Sequence, residues 1–177
     1  MNVVISVVAL ASAALVAAIP AVSQSAERAT CARADESQIA ALFDRWNTSL
    51  RSGDVDRVAA NYAPDSVLLA TVSNQPRTTP AAIREYFVKF MKDKPVGKID
   101  SRTVKLGCNV AQDVGTYTFR FATGKVVHAR YTYVYEWMNG KWLIAHHHSS
   151  SMPEPVLAAV EGAENRGAKR AVYDSKR

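Results

Sequence analysis

The spacing of apolar residues changes once along the chain, from a helical period to the two-residue period of strands. Before Lys98, three segments repeat their apolar residues at helical spacing. After Lys98, four segments alternate and are rich in Val, Thr and aromatic residues. Helices followed by a run of strands predict an α+β domain, with three N-terminal helices packed on one face of a curved antiparallel sheet.

Capping residues predict where the three helices begin. Asp35 precedes the first apolar run and a glutamine stands three positions later, which is the spacing of a capping box, and Gly53 ends this helix. Asp54 is placed to cap a shorter second helix. Thr79 followed by Pro80 predicts the start of the third, because proline suits the first helical position.

The strand predictions depend most on one turn. A short buried strand is predicted before the third helix, at 66–71, and four more follow it at 98–106, 114–122, 126–138 and 141–150. Asn139 and Gly140 between the last two strands are typical of a two-residue hairpin, since both residues tolerate positive φ. This turn predicts the pairs Trp137–Trp142, Tyr135–Ile144, Tyr133–His146 and Tyr131–His148.

The predicted register divides the stretch "HHHSSS" between the two faces of the sheet. His146 and His148 are expected on the tyrosine face, and His147 and Ser149 behind it. Three histidines that point in different directions cannot bind one ion, and no acidic residue or cysteine of matching parity supplies a further ligand, so no metal is predicted. Neighbouring Ser and His also point apart, which disfavours a nucleophilic pair. Without a P-loop, GxGxxG or HExxH motif, no cofactor is predicted.

The N-terminal segment has the pattern of a signal peptide. Residues 1–26 carry no charged side chain, and an apolar run from Val3 to Ile19 is followed by a proline and small residues. An uncleaved membrane anchor is the alternative, and only then would the membrane be a partner. In both cases the domain, residues 27–154, is expected outside the cytoplasm, periplasmic or extracellular. Residues 155–177 are predicted to be a basic, mobile tail.

Two cysteines, Cys31 and Cys108, are far apart and lack CxxC spacing. In an oxidising compartment such a pair more often forms a structural disulfide than a metal or redox site. We therefore predict a Cys31–Cys108 bond that ties the N-terminal segment to a strand.

The net charge of +6 does not predict binding to nucleic acid. No dense run of Lys and Arg with interleaved aromatic residues lies in the patterned region. Six of the basic residues lie near or beyond its end: Lys141, Arg166, Lys169, Arg170, Lys176 and Arg177.

Several stretches resemble known proteins. The order of elements is similar to that of the nuclear transport factor 2-like superfamily of cone-shaped α+β domains. Within it, "YAPDSVLLATVSNQPRTTPAAIREYF" and "ARYTYVYEWMNGKWLIAHHHSSSMPE" resemble bacterial relatives of the association (hub) domain of calcium/calmodulin-dependent protein kinase II, often labelled SgcJ/EcaC-type. The last strand of that hub reads Gly-Lys-Trp, apolar residues, then His-x-His-x-Ser near a proline, which matches Gly140-Lys141-Trp142, His146-His147-His148, Ser150 and Pro153. The resemblance covers about Ile39 to Glu154, and no kinase signature is present.

The resemblance implies a homo-oligomer built through the sheet and a deep pocket between the sheet and the helices. In the kinase hub, arginines of this pocket bind small carboxylates, but the corresponding residues are Phe119, Tyr133 and Ser149. An aromatic, hydrogen-bonding pocket for a small organic ligand is therefore expected. The candidate ligand-binding residues are Trp46, Tyr62, Arg77, Phe119, Arg130, Tyr131, Tyr133, His146 and His148.

An enzyme of the ketosteroid isomerase or SnoaL-like branch is the alternative. In the isomerases a carboxylate base and acidic hydrogen-bond donors act on the substrate, but the base position corresponds to Ala70 and the tyrosine position to Trp46. If the chain is a cofactor-free isomerase, cyclase or hydrolase, His146 or His148 with Tyr133 or Tyr131 is the expected acid–base pair. The resemblance favours a binding or assembly module over an enzyme.

Overall fold

The computed structural model describes residues 30–154. The predicted signal segment, 1–26, and the predicted tail, 155–177, lie outside these residues. The elements in chain order are α1 (Glu36–Arg51), α2 (Val55–Ala59), β1 (Tyr62–Leu69), α3 (Pro80–Phe90), a 3₁₀ turn (Met91–Asp93), β2 (Val96–Leu106), β3 (Val110–Arg120), β4 (Val126–Met138) and β5 (Lys141–Ser151).

The helices begin where the capping residues predicted. The Asp35 carboxylate accepts a hydrogen bond from the Gln38 backbone N–H at 2.8 Å, and the Gln38 side chain accepts one from the Asp35 N–H at 3.0 Å, which completes the capping box of α1. Asp54 caps α2. Thr79 caps α3 through the Ala82 N–H, and Pro80 occupies its first position. Local sequence signals therefore determine these helix starts.

The sheet is five-stranded and unclosed, in the order β1-β5-β4-β3-β2. Strands β2 to β5 pair antiparallel, while β1 joins β5 in parallel. The predicted α+β class, with helices on one face of a curved sheet, is confirmed. The parallel pairing of β1 was not predicted, because the sequence shows only that a strand lies there.

The helices cover one side of the sheet, here called the inner face. From α1 and α3, the side chains of Ile39, Phe43, Trp46 and Phe87 are almost completely buried against it. The sheet contributes an aromatic layer at the same depth, consisting of Tyr117, Phe119, Tyr131, Tyr133 and Tyr135. The opposite side, the outer face, has no described helix packed on it. The core therefore lies on the inner face alone.

The hairpin register changes at one residue of β5. Tyr135 pairs with Ile144 as predicted, but the next residue of β4, Val134, pairs with His146, so Ala145 is an extra residue on β5. Such a β-bulge reverses the facing of every later side chain relative to an uninterrupted strand. Beyond the bulge, Tyr133 pairs with His147. The register predicted beyond Ile144 is wrong for this reason.

The predicted disulfide is present. Cys31 and Cys108 are bonded, with their Cα atoms 4.8 Å apart. Beside the disulfide, the Ala32 N–H donates to Asn109 Oδ1 at 2.7 Å. Cys108 lies in the turn between β2 and β3 rather than in a strand. The bond therefore joins the segment before α1 to this end of the β2–β3 hairpin.

Candidate functional site

A cavity of about 360 Å³ lies between the inner face, α3 and the loop after β1. This volume is within the range of small-molecule sites. Its wall is rich in aromatic rings, which come from Trp46 on α1, Tyr86, Phe87 and Phe90 on α3, Tyr117 and Phe119 on β3, and Phe121 just after it. The cavity thus offers apolar surface on several sides.

His147, on β5, is a buried polar residue of the cavity wall. Its side chain is 4 % exposed, and the Tyr133 ring stacks on the imidazole with ring centroids 4.2 Å apart. Its Nδ1 is 2.9 Å from the Tyr62 hydroxyl, to which Trp46 Nε1 donates a hydrogen bond at 3.1 Å. The His147 Nε2 is buried and has no hydrogen-bond partner. Burial lowers the pKa of His147 to about 3, so the imidazole is neutral at physiological pH.

Three hydroxyl groups form a second polar feature of the wall. The Tyr117 hydroxyl donates to Ser149 Oγ at 2.5 Å, and Thr71 Oγ1 is hydrogen-bonded to the same oxygen. Burial raises the pKa of Tyr117 above its usual range. The cluster connects the loop after β1 to β3 and β5, so it holds three sides of the cavity together.

Charged side chains also contribute to the wall. Lys89, Asp93 and Lys125 are exposed to solvent, and Lys89 pairs with Glu85 at 2.8 Å. Arg77 is half-buried, donates from Nη2 to Ser73 Oγ at 3.3 Å, and has a buried Nε without a hydrogen-bond partner. The charged groups therefore lie where the wall meets solvent, apart from the Arg77 guanidinium.

A separate ionic cluster occupies the inner face away from the cavity wall. Asp113 is completely buried and accepts a hydrogen bond from the Tyr131 hydroxyl at 2.8 Å and one from Arg102 Nε at 3.1 Å. Burial raises the pKa of Asp113, and the bonds from Tyr131 and Arg102 oppose this rise. The pairing explains how a carboxylate is accommodated beneath α1.

The predicted site residues fall into three groups. Three of them line the cavity: Trp46, Arg77 and Phe119. Three more are buried on the inner face but are not part of the cavity wall: Tyr62, Tyr131 and Tyr133. The last three, Arg130, His146 and His148, lie on the outer face. Arg130 does so because alternate residues of β4 point to opposite faces, and the two histidines do so because of the bulge at Ala145.

The predicted position of His146 and His148 beside the tyrosines is therefore wrong. His147 and Ser149, which were predicted to lie behind the sheet, occupy those places on the inner face. The sequence contained both residues in the quoted stretch, but it contained no signal for the bulge. Thr71 and Tyr117 were also missed, because their hydroxyl groups meet only in the folded chain.

Within residues 30–154, no group of three or more His, Cys, Asp and Glu side chains is arranged to hold a metal ion. None of the helices in the described part of the chain is long and apolar enough to cross a membrane.

Solved structures place the fold in a known class. A Pseudomonas putida nuclear transport factor 2-like protein of unknown function is 21% identical, with a TM-score of 0.62, and the match covers 74% of this chain and 99% of that protein. A Streptomyces avermitilis protein of the same class, provisionally assigned as a dehydratase, is 14% identical, with a TM-score of 0.58 and coverage of 69% and 96%. At these identities the likeness shows the fold alone. The fold is nuclear transport factor 2-like.

The family within this class follows from two closer matches. Residues 35–153 match the family described as calcium/calmodulin dependent protein kinase II association domain. A Xanthomonas campestris protein provisionally assigned to that same domain is 47% identical, with a TM-score of 0.65, over 71% of this chain and 96% of that protein. The chain belongs to the calcium/calmodulin dependent protein kinase II association domain family.

Proposed function

We propose that this protein is an exported, self-associating domain that binds a small organic ligand in its cavity. The observation that carries the proposal is the cavity of about 360 Å³ with aromatic walls and a buried, unpartnered nitrogen on His147. Apolar walls with a few placed polar groups are the usual composition of small-molecule sites. Aromatic surface supplies affinity, and the polar groups orient the ligand.

The outer face supports the self-association part of the proposal. Half-buried aliphatic and threonine side chains line it around His146 and His148, namely Val67, Leu69, Val114, Thr132 and Val134. These residues carry no formal charge, and no described helix covers them. This patch lies between the charged outer-face residues Arg130 and Glu136 of β4, and its mainly apolar surface suits contact with a second copy of the chain. The family name, association domain, points the same way.

The Cys31–Cys108 bond supports export. Disulfides persist in oxidising compartments, and they are rare in the cytosol. The apolar N-terminal segment with its following small residues has the pattern that directs export.

A cofactor-free isomerase or cyclase is less well supported than a binding module. His147, rather than His146 or His148, is the histidine of the cavity wall, and its pKa of about 3 makes it a poor proton acceptor at neutral pH. Ala70 and Trp46, at the positions of the isomerase base and tyrosine donor, line the cavity without supplying a carboxylate. Binding therefore needs fewer additional assumptions than turnover.

A ligand screen with a cavity-filling variant tests the binding proposal. Ala70→Leu narrows the cavity, because Ala70 is a buried residue of its wall, whereas Ala122→Leu adds the same atoms at an exposed position. We expect compounds from a library of polyketide-like, steroid-like and small carboxylate molecules to raise the melting temperature of the wild type and of Ala122→Leu, and not of Ala70→Leu. Ligands that stabilise all three proteins equally would bind elsewhere. Chemical conversion of a stabilising ligand would favour the enzyme.

Light scattering at micromolar concentration tests self-association. Val134→Lys places a charge on the outer face, and Val88→Lys places one at an exposed position of α3. We expect the wild type and Val88→Lys to be oligomers, and Val134→Lys to be a folded monomer, because a buried unpaired charge at an interface is strongly unfavourable. A monomeric wild type would contradict the proposal.

A further inference from the structure

Two histidines project side by side from the outer face of β5. His146 and His148 are alternate residues of the strand beyond the Ala145 bulge, so both side chains point the same way. Alternate residues of a strand are about 6.6 Å apart, a span that two imidazoles can close on one ion. Burial, together with the neighbouring His148, lowers the pKa of His146, which favours the neutral imidazole that binds metals. Each chain therefore presents a pair of metal ligands on the surface proposed for self-association.

Two charges on β4 favour one alignment of a second copy on this surface. Arg130 and Glu136 lie on the outer face at opposite ends of the apolar patch, and within residues 30–154 neither side chain forms an ion pair. Complementary charges set the register of an interface, so the favoured alignment places Arg130 against the partner's Glu136. A two-fold axis gives the reciprocal pair as well, if it lies between the two sheets and crosses the strands midway between these residues.

The same axis brings the histidines of the two copies together. On β4 the residue midway between the two charges is Tyr133, which pairs with His147 of β5. His146 and His148 lie on either side of His147, so the axis places His146 opposite the partner's His148, and His148 opposite the partner's His146. Packed sheets are about 10 Å apart, so imidazoles from both copies reach the plane midway between them. Four imidazoles therefore meet around one point of the interface.

We propose that self-association creates a zinc site, in which His146 and His148 from each of two copies bind one ion. This inference rests on the proposed self-association and adds a metal to that surface. Four nitrogen ligands in a tetrahedral arrangement suit zinc, for which imidazole is a common ligand. One chain supplies only two of the four, in agreement with the absence of a metal-binding group of three side chains within residues 30–154.

The ion in this site is structural rather than catalytic. Four protein ligands leave no open position for water or a substrate. Val67, Leu69 and Val134 surround the two histidines on the outer face, and an apolar shell of this kind limits the access of solvent to the metal. The ion therefore strengthens the contact between copies.

Addition of zinc to protein without a histidine tag tests the inference. Self-association is measured by sedimentation at pH 7, first in EDTA and then in zinc after the EDTA has been removed. With free zinc at about ten times the dissociation constant of the site, the association constant should rise about tenfold, because the ion binds the associated form. Calorimetric titration should give one zinc ion per two chains.

Glutamine variants locate the site. His146→Gln and His148→Gln should each lose the response to zinc and still associate in EDTA. His128→Gln is the matched control and should keep the response, because His128 also lies on the outer face but on β4, where its Nδ1 is 2.8 Å from Thr118 Oγ1. In ¹⁵N-histidine-labelled wild type, zinc should shift the ring nitrogens of His146 and His148 far more than those of His128. This spectrum keeps the test decisive if a variant does not fold.

Charge reversal tests the alignment of the two copies. Arg130→Glu and Glu136→Arg should each weaken association in zinc, because each places like charges together. The double variant should restore it, since opposite charges then meet again. A double variant as weak as the single ones would contradict the alignment and the site built on it.

Three further results would overturn the inference. They are an association constant that zinc does not change, a response to zinc that persists in both His146→Gln and His148→Gln, and a stoichiometry of one zinc ion per chain. If the wild type associates in EDTA and zinc changes nothing, the self-association proposal stands and only the zinc site is wrong. If the wild type is a monomer both in EDTA and in zinc, both proposals are wrong.

Discussion

The two faces of β5 carry the same residue types in opposite environments. His147 and Ser149 face the helices and are 4 % and 8 % exposed, while His148 and Ser150 face outward and are exposed or half-buried. The inner pair belongs to the cavity wall and to its hydrogen-bond networks. The outer pair lies on the surface that we propose for self-association. Residue type alone therefore does not identify the functional residues of β5. They are identified by the face of the sheet to which each side chain points.

The largest expected difference in stability between the two faces comes from placing a negative charge on each of them. His147→Asp buries a carboxylate among aromatic rings in place of a neutral imidazole, and it should lower the free energy of unfolding by about 3 kcal/mol or more. His148→Asp makes the same change at a position that is exposed in the protomer and, with both variants compared in the Val134→Lys background that we expect to be monomeric, should alter the free energy of unfolding by less than about 0.5 kcal/mol. Urea denaturation at pH 7 measures both. Equal losses in the two variants would mean that the assigned phase of β5 is wrong.

The pH dependence of stability should report the burial of the inner-face histidine. Burial lowers the pKa of His147 from 6.5 to about 3 in the folded chain. Above pH 6.5 the residue is neutral in both states, and below it the unfolded chain takes up a proton first, so stability falls until about pH 3. At pH 4.5 this contribution amounts to about 3 kcal/mol.

The variant His147→Gln cannot titrate and should lack this contribution, whereas Ala122→Gln, which replaces an exposed residue without an ionisable group, should follow the pH profile of the wild type. Denaturation curves collected from pH 8 to pH 4 give the difference between each variant and the wild type. If the difference for His147→Gln does not change with pH, His147 is not buried as a neutral group.

The parts of the fold that local signals control were predicted correctly. The caps at Asp35, Asp54 and Thr79 act within three residues of sequence, and the helices begin there. Asn139 and Gly140 both have positive φ, as the hairpin prediction required. The register was correct as far as Ile144, because it propagates from that turn.

The bulge at Ala145 could not be predicted, because the contacts around it are made by residues that are distant in sequence. At the same point of β5, the Ile144 N–H donates to the Asn61 carbonyl, and the parallel ladder with β1 shifts before resuming at Val67. None of these neighbours is close in sequence. Asp113 was missed for the same reason, since Arg102 and Tyr131, which make its burial possible, come from the two adjacent strands.

A smaller effect is expected at the serines. Ser149→Ala removes the acceptor of the Tyr117 hydroxyl and the partner of Thr71, leaving buried polar groups unpaired, and should cost about 1–3 kcal/mol. Ser150→Ala, on the outer face, should change stability by less than about 0.5 kcal/mol. Thermal unfolding of both variants provides the comparison. A neutral Ser149→Ala would show that the hydroxyl cluster does not stabilise the cavity wall.

The smallest expected effect concerns the bulge itself. Between Ile144 and His146, β5 contains one residue, Ala145, that has no partner on β4. Its deletion therefore leaves Ile144 opposite Tyr135 and His146 opposite Val134, and every later pair is unchanged. We therefore expect the deletion to cost only about 1 kcal/mol, an ordinary value for a single change, and to leave the ¹⁵N signals of His147 nearly unmoved. Inserting an alanine after Ala145 instead forces either a second unpaired residue in β5 or a two-residue shift of every later pair with β4, and should be far more damaging. A deletion as damaging as the insertion would mean that the bulge is needed for the shape of the sheet, and not only for setting which histidine faces the cavity.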